Sequence, residues 1–414
     1  MKVLISAFSV NPTGSSEQGV GWNWAVQASR DHEVWVLTNT APEDAVAQEL
    51  QARPNPNLHF VFHRGPREHA LRSLGRKFHL FYYPAYLSWQ ASAIGAARKL
   101  HAEVGFDVTQ HLTWASCRFP SALAWLDVPF IWGPVGGGEV APRSAYTSLG
   151  LRPAFGEVAR ETSNWLTRLD PFVRHTATRA ARILTTTEET KALLPAGSAS
   201  KAEVYPAIGL RLNELDQALA GSLDAQRSAN GDARLLFVGR LVSWKGCEFA
   251  IRAVAELARS GTRASLTVVG VGPELSALRT LARDLGVESQ VEFLGTVPHN
   301  EVLALFQTHD VFLFPSLHDS GGIAVLEAMY LGLPVVCLDL GGPAVSVGDA
   351  GIRVPCEDVQ QIVNGLTDGV RRLLSDEALR KDIVTRARSR VVELYDWDSK
   401  AEYISDLYES VAKP

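Results

Sequence analysis

Short runs rich in Val, Ile, Leu and Phe recur along the chain, separated by longer stretches with apolar residues at helical spacing. The first series reads KVLISAF, HEVWVLT, LHFVFH, FDVTQHL and PFIWGP, with the helix-like VGWNWAVQASR after its first run. From about residue 230 the pattern restarts with RLLFVGR, SLTVVG, VEFLG, DVFLFPS and PVVCLD. These alternate with helical EFAIRAVAELARSG, LSALRTLARDLG, NEVLALFQTH and GIAVLEAMYLG. Continuous apolar strands between helices predict parallel sheets covered on both faces. Two such series predict an α/β chain of two Rossmann-like, doubly wound domains facing across a cleft. A length of 414 residues suits that count. Pro206 and Gly209 interrupt regular structure in VYPAIGLRLNE, so the domains are expected over 1–207 and 208–397. A last helix, 398–414, is expected to be capped by Asp398 or Ser399.

Composition excludes several classes. Hydrophobic residues make up 46% and charged residues 21%, ordinary for a globular protein and unlike a disordered or fibrous chain. The four cysteines are scattered with no C-x-x-C, which favours a reducing, cytoplasmic setting over a disulfide framework or zinc cluster. The apolar start MKVLISAFSV is short and ends at Pro12 and Gly14, so a buried strand is expected there and not a signal peptide. No apolar run is long enough to span a bilayer. The net charge of −5 is uneven: residues 1–207 hold 20 Lys+Arg against 17 Asp+Glu, and the remainder 20 against 28. No nucleic-acid partner is expected.

Two stretches carry candidate chemistry. In LFVGRLVSWKG a buried strand ends at Gly239, and Arg240 and Lys245 follow in a loop. Cations beyond the carboxyl end of a parallel strand suit a diphosphate, Arg as a bidentate donor and Lys as a point charge. Solvated loop cations would give the same sequence. In HDSGGIAVLEAM, Gly321 and Gly322 stand where a helix begins, and helix-start amides favour an anion. Glu327, inside that helix, suits a ribose diol, and Asp319 suits sugar hydroxyls. Alternatively, Asp319 is only a helix cap and Glu327 an exposed helix residue. The partial glycine pattern GVGPE lacks its third glycine, and DWD at 396–398 reads as capping, so no essential metal is expected.

Together, GRLVSWKG, VVGVGPELSALRTLARDLGVESQVEFLGTVPHNEVLALF and PSLHDSGGIAVLEAMYLGLPVVCLD resemble the C-terminal domain of the family-4, GT-B-fold, retaining glycosyltransferases. The resemblance is strong over 234–345. It implies that Arg240 and Lys245 neutralise a donor diphosphate, that Gly321, Gly322 and Ile323 offer backbone N–H groups, and that Glu327 binds the ribose. It further implies that the base rests near Leu294 to Val297. Asp319 stands where the family usually has Glu, one methylene longer, and would touch the transferred sugar. His111, just past a strand end in FDVTQHLTW, matches a cleft-facing His near that sugar. The final helix would cross back onto the first domain.

Glu17, Gly136, Gly137 and Glu139, in the glycine-rich loops NPTGSSEQGVGW and GPVGGGE, are candidates on the acceptor side. Residues 64–90 place Arg64, Arg67, Arg72, Arg76 and Lys77 ahead of an aromatic cluster. That stretch suits either the inner face of a membrane or an amphipathic helix with its rings in the core. The expected reaction moves a sugar from a nucleoside diphosphate, UDP ahead of GDP, to a hydroxyl of a glycan or lipid-linked acceptor in bacterial polysaccharide or glycolipid assembly. The alternatives are a soluble small-molecule acceptor, a GT-B-fold sugar-nucleotide epimerase, or an inactive nucleotide-sugar binding module.

Overall fold

The computed structural model describes residues 1–14, 16–66, 82–146, 150–219 and 232–412. They form two compact units. The first comprises Met1–Gly138, Thr162–Ile208 and the C-terminal Trp397–Pro414; the second comprises Glu139–Glu161 and Gly209–Asp396.

The first unit is built on seven strands: β1 (Lys2–Ala7), β2 (Glu33–Thr38), β3 (Leu58–Phe62), β4 (Val108–Thr113), β5 (Phe130–Val135), β6 (Arg182–Thr185) and β7 (Ala202–Val204). Their order is β3-β2-β1-β4-β5-β6-β7, every pairing parallel. The second unit has β8 (Ala233–Val238), β9 (Ala264–Val269), β10 (Val291–Gly295), β11 (Val311–Phe314), β12 (Val335–Leu338) and β13 (Ile352–Val354). Their order is β10-β9-β8-β11-β12-β13, again all parallel. The apolar runs that predicted buried strands are buried: Val3, Leu4, Ile5, Leu235, Leu236, Val311 and Leu313 have no exposed surface. In each sheet the strand order reverses once, between β1 and β4 and between β8 and β11. Ligands of open parallel sheets bind beyond the carboxyl ends of such strand pairs.

Three strands escape the hydrophobic pattern. β6 begins on an exposed arginine, and β7 and β13 are three residues each with partly exposed positions. Residues 139–161 depart from the expected division, which kept them in the first domain. Ala141 and Ala145 are buried in the core of the second unit, and Tyr146 packs against it. A small apolar surface in the linking segment thus decides its allegiance, a feature that strand periodicity does not encode.

The C-terminal helix runs over Trp397–Ala412, one residue ahead of the expected start, so Asp398 lies in its first turn and pairs with Arg30 at 2.8 Å. The helix packs on the helix Ser16–Ala28 of the first unit. Trp24 Nε1 donates to the Tyr408 hydroxyl at 3.1 Å, and that hydroxyl donates to Gln110 on β4. Lys400 is fully buried in the same unit. Its Nζ donates to the Pro206 carbonyl at 2.8 Å and lies 4.1 Å from the centre of the Tyr205 ring. Burial pushes its pKa down to about 7.

Between pH 7 and the ordinary lysine value of about 10.4, the native state therefore binds fewer protons at this position than the unfolded chain. Stability should rise with pH through that window in the native protein and rise less in Lys400→Met. Urea melts of both proteins across the window measure this; parallel curves would show that Lys400 keeps its proton when folded.

Candidate functional site

The second unit gathers most of the candidate residues where β8 and β11 leave the sheet. After β8, the chain runs through Gly239 and Arg240 to a single 3-10 turn at Ser243–Lys245. Gly246 then starts the helix Cys247–Arg259 with φ of 69°. A β-carbon at Gly246 would stand 2.0 Å from the Pro315 carbonyl oxygen, so only glycine lets these two loops approach. They are joined further by Leu317 N donating to the Trp244 carbonyl at 2.7 Å. The same close fit accounts for GVGPE. A β-carbon at Gly270 would lie 1.9 Å from the Gly239 carbonyl, and one at Gly272 2.2 Å from that of Leu241. Those glycines pack backbone on backbone.

This stitching brings Lys245 and Asp319 into an ion pair, each side chain about one-fifth exposed. Asp319 Oδ1 also accepts from Gly321 N at 3.3 Å, and its main-chain carbonyl accepts from Gly342 N at 2.7 Å. Asp319 does not cap the helix Ile323–Tyr330; Gly322, with φ of 115°, does. The amides of Gly322 and Ile323 stand at the open first turn, where a helix has no internal acceptor for them. Arg240 is exposed, and its guanidinium has no protein partner among the described residues.

Glu327 is 7% exposed and accepts from His299 Nε2 at 2.7 Å. It is therefore neither a surface residue nor unpartnered. The hydrogen bond to Glu327 raises the pKa of His299, against an opposing effect of partial burial. His299 opens the helix His299–Thr308, just beyond β10. Leu294, partly exposed on β10, and Val297 in the following turn lie on the same connection.

Three further residues complete this surface. His318 stacks on Trp244, with ring centroids 5.4 Å apart and planes 13° from parallel. Its Nδ1 lies 3.1 Å from Glu157 Oε1, and the other Glu157 oxygen accepts from Ala141 N at 3.0 Å. Burial works against the Glu157 charge, but His318, the Ala141 amide and Arg160 outweigh it and hold its pKa below the usual carboxylate range. Sequence reading missed His299, His318, Trp244 and Glu157. The only signal for His318 and Trp244 was adjacency to Asp319 and Lys245, and Glu157 had none.

The first unit treats its candidates differently. His111 lies inside β4, not past its end, and is 1% exposed, so it does not present its ring to solvent. Its Nε2 lies 3.1 Å from the Tyr86 hydroxyl, which donates to the Trp114 carbonyl and accepts from Gln90. The Thr113 carbonyl lies 3.2 Å from the same Nε2 and can only accept, so Nε2 carries a hydrogen and donates to it. Burial pushes the His111 pKa down to about 4, partly opposed by the Thr113 carbonyl, so the ring is neutral near pH 7. Glu17 accepts from Trp114 N. The Gly136 amide donates to the Ala115 carbonyl, and the Gly136 carbonyl accepts from Cys117 N. The Gly137 carbonyl accepts from Arg118. Glu139 is 3% exposed and belongs to the second unit, not to an acceptor-side loop of the first.

Of residues 64–90, Arg67, Glu68, Arg72, Arg76 and Lys77 lie outside the described residues. Arg64 is exposed. Tyr86 and Trp89, on the helix Tyr82–Val104, are fully buried against Phe8, so part of the aromatic cluster belongs to the core. No helix among the described residues is long and apolar enough to cross a membrane.

Two parallel-sheet units of this topology define the GT-B fold. The whole chain matches sucrose-phosphate synthase from Thermosynechococcus elongatus with a TM-score of 0.60 and 18% identity, over 99% of this chain and 98% of that one. It matches Anabaena HepE, solved in complex with UDP-glucose, with a TM-score of 0.59 and 17% identity, over 99% and 100%. Residues 223–390 match the family model of glycosyl transferases group 1, so the second unit carries a domain of that family. Glycogen synthase of Mycobacterium tuberculosis is 34% identical over 186 residues, 44% of each chain. The chain thus spans about half the length of the curated relatives it matches.

The His299–Glu327 pair yields a direct check. A carboxylate partner favours imidazolium, so His299 should titrate above the ordinary histidine value of about 6.5 and fall toward it in Glu327→Gln. Histidine proton chemical shifts against pH measure both proteins. Identical titrations would show that the two side chains are not hydrogen-bonded in solution.

Proposed function

We propose that this protein is a retaining glycosyltransferase that moves a sugar from a nucleoside diphosphate to a hydroxyl of a glycan or lipid-linked acceptor. One observation carries the reading. Arg240, Lys245, the open amides of Gly322 and Ile323, and buried Glu327 stand within one unit at the reversal point of its sheet. A diphosphate is matched by two cations and a helix start, and a ribose by a carboxylate set deeper in the helix. We put UDP ahead of GDP as the donor nucleotide, an order that the HepE structure, solved in complex with UDP-glucose, supports.

As the bond to the departing diphosphate breaks, negative charge grows on its oxygens. Arg240, Lys245 and the helix-start amides are positioned to stabilise that charge, which is where fixed dipoles and cations lower a barrier most. In a same-face displacement the leaving phosphate oxygen itself takes the acceptor's proton. Neutral, hydrogen-bonded His111 then has no need to act as the base. Asp319, shared between Lys245 and Gly321 N, is the group for hydroxyls of the transferred sugar. A donor that engages it must compete with Lys245, and the diphosphate gives that ammonium a new partner as it binds. No resident metal enters this scheme.

Thermal unfolding with UDP, GDP, ADP or dTDP tests the donor site. One nucleotide, UDP first, should raise the melting temperature, and the rise should shrink in Glu327→Ala. In a coupled transfer assay, Arg240→Ala should lower kcat on the order of 10²–10³-fold, the usual cost of losing one donor to a developing charge. No shift with any nucleotide at millimolar concentration would remove the basis of this proposal. A shift without transfer to any acceptor would favour a binding module.

A further inference from the structure

Seven large apolar residues among those described are more than half exposed, and four of them fall within eight positions: Trp165 (59%), Leu166 (52%), Leu169 (61%) and Phe172 (60%). All four belong to the first unit. They occupy the end of the helix Leu151–Thr167, a short turn, and the first turn of the helix Pro171–Arg179. The turn is hydrogen-bonded on both sides. Arg168 N and Leu169 N donate to the carbonyls of Trp165 and Leu166, and the Asp170 carboxylate caps the second helix by accepting from Phe172 N and Val173 N. Val173, one residue on, is fully buried, so the corner is anchored from beneath while its tip faces water. Phe172 is also in ring contact with Trp125, at 6.3 Å. Exposed apolar residues scattered singly need no explanation, but a rigid cluster of this kind marks an interaction site.

The charges around the corner select the partner. Arg168 and Arg174 are exposed, and the Arg174 guanidinium has no protein partner among the described residues. Exposed Arg98 reaches the carbonyl of Trp125. Of the acids in this neighbourhood, Asp170 is engaged in capping and Asp127 pairs with Arg179 at 3.3 Å. Arg168 also reaches the Ala192 carbonyl at 2.9 Å, on the helix that carries Glu188 and Glu189. An aromatic and aliphatic tip flanked by exposed arginines is the complement of an anionic lipid surface: the rings and Leu side chains enter the acyl boundary and the guanidinium groups meet headgroup phosphates. We propose that the corner Trp165–Arg174 docks the first unit on an anionic membrane. This goes further than the proposed lipid-linked acceptor by naming the partner and the surface, and its site is distinct from residues 64–90.

Co-sedimentation with vesicles of phosphatidylcholine alone, or mixed with phosphatidylglycerol, tests the docking without any activity assay. The protein should sediment with the mixed vesicles, less with the neutral ones, and less as salt is raised. Leu169→Ser/Phe172→Ser should cut the bound fraction at least about tenfold, and Arg168→Glu/Arg174→Glu should abolish the preference for the anionic lipid. Nucleotide-induced thermal shifts measured on the same variants should match the native protein, which separates failure of this proposal from failure of the donor site. Full binding by the Leu169/Phe172 variant, with loss in Arg72→Ala/Arg76→Ala, would overturn it in favour of residues 64–90. Absence of vesicle binding in the native protein, with a dimer in sedimentation velocity that those serine substitutions dissociate, would assign the corner to a second copy of the chain instead.

Discussion

The loop after β8 passes so close to those after β9 and β11 that main-chain contacts set where the chain carries Lys245 and Asp319. Gly246 lies against the Pro315 carbonyl, Gly270 against that of Gly239, and Gly272 against that of Leu241, each at a separation that no β-carbon could share. Such contacts fix the loops more firmly than side-chain packing could, because backbone atoms have no rotamers to yield. Lys245 precedes Gly246 by one residue and Asp319 follows Pro315 by four, so their pairing is a direct product of that approach. Reversal of strand order supplies the opening between the two loops, and glycines bring them close enough to form one site.

The charges at this site fall into two kinds. Lys245 with Asp319 and His299 with Glu327 are already paired, so a ligand must exchange partners to use them. Arg240 and the amides at the start of the helix Ile323–Tyr330 are open, and an anion can reach them without disturbing anything. Exchange would keep each carboxylate satisfied with or without ligand, and for buried Glu327 an unpaired charge would be costly. The open groups then supply the initial attraction for an anion. A shorter Asp at 319 fits this division, since it holds Lys245 and the loop amide of Gly321 together within one turn.

How much of this was legible in the sequence depended on periodicity. Strands with three or more consecutive apolar residues, such as those in KVLISAF and DVFLFPS, announce themselves, and so does the repetition that yields two sheets. β7 and β13 do not, because three residues at a sheet edge carry no period. At the site, loop cations after a strand and glycines before a helix were readable from local order alone. Their partners were not. Glu327 meets His299 across 28 positions and His318 meets Glu157 across 161, and nothing in a single chain encodes such pairings. His111 shows the opposite failure: its place near a strand end suggested an accessible ring, whereas β4 continues to Thr113 and is buried along its whole length, which sets the ring beside Tyr86.

Residues 139–161 bear on how the two halves of the sequence make one site. They come between strands of the first sheet, yet Ala141 and Ala145 are buried in the second core. That excursion carries Glu157 to His318, the residue before Asp319. Because Glu157 also accepts from Ala141 N, one carboxylate both braces the excursion internally and meets His318. A motif confined to one stretch of sequence thus acquires part of its support from a segment more than a hundred residues upstream. The second unit therefore cannot be complete as residues 209–396 alone. Cutting the chain at the visible sequence boundary near 208 would leave His318 without its carboxylate and expose the surface that Ala141 and Ala145 cover, next to the charges the site depends on.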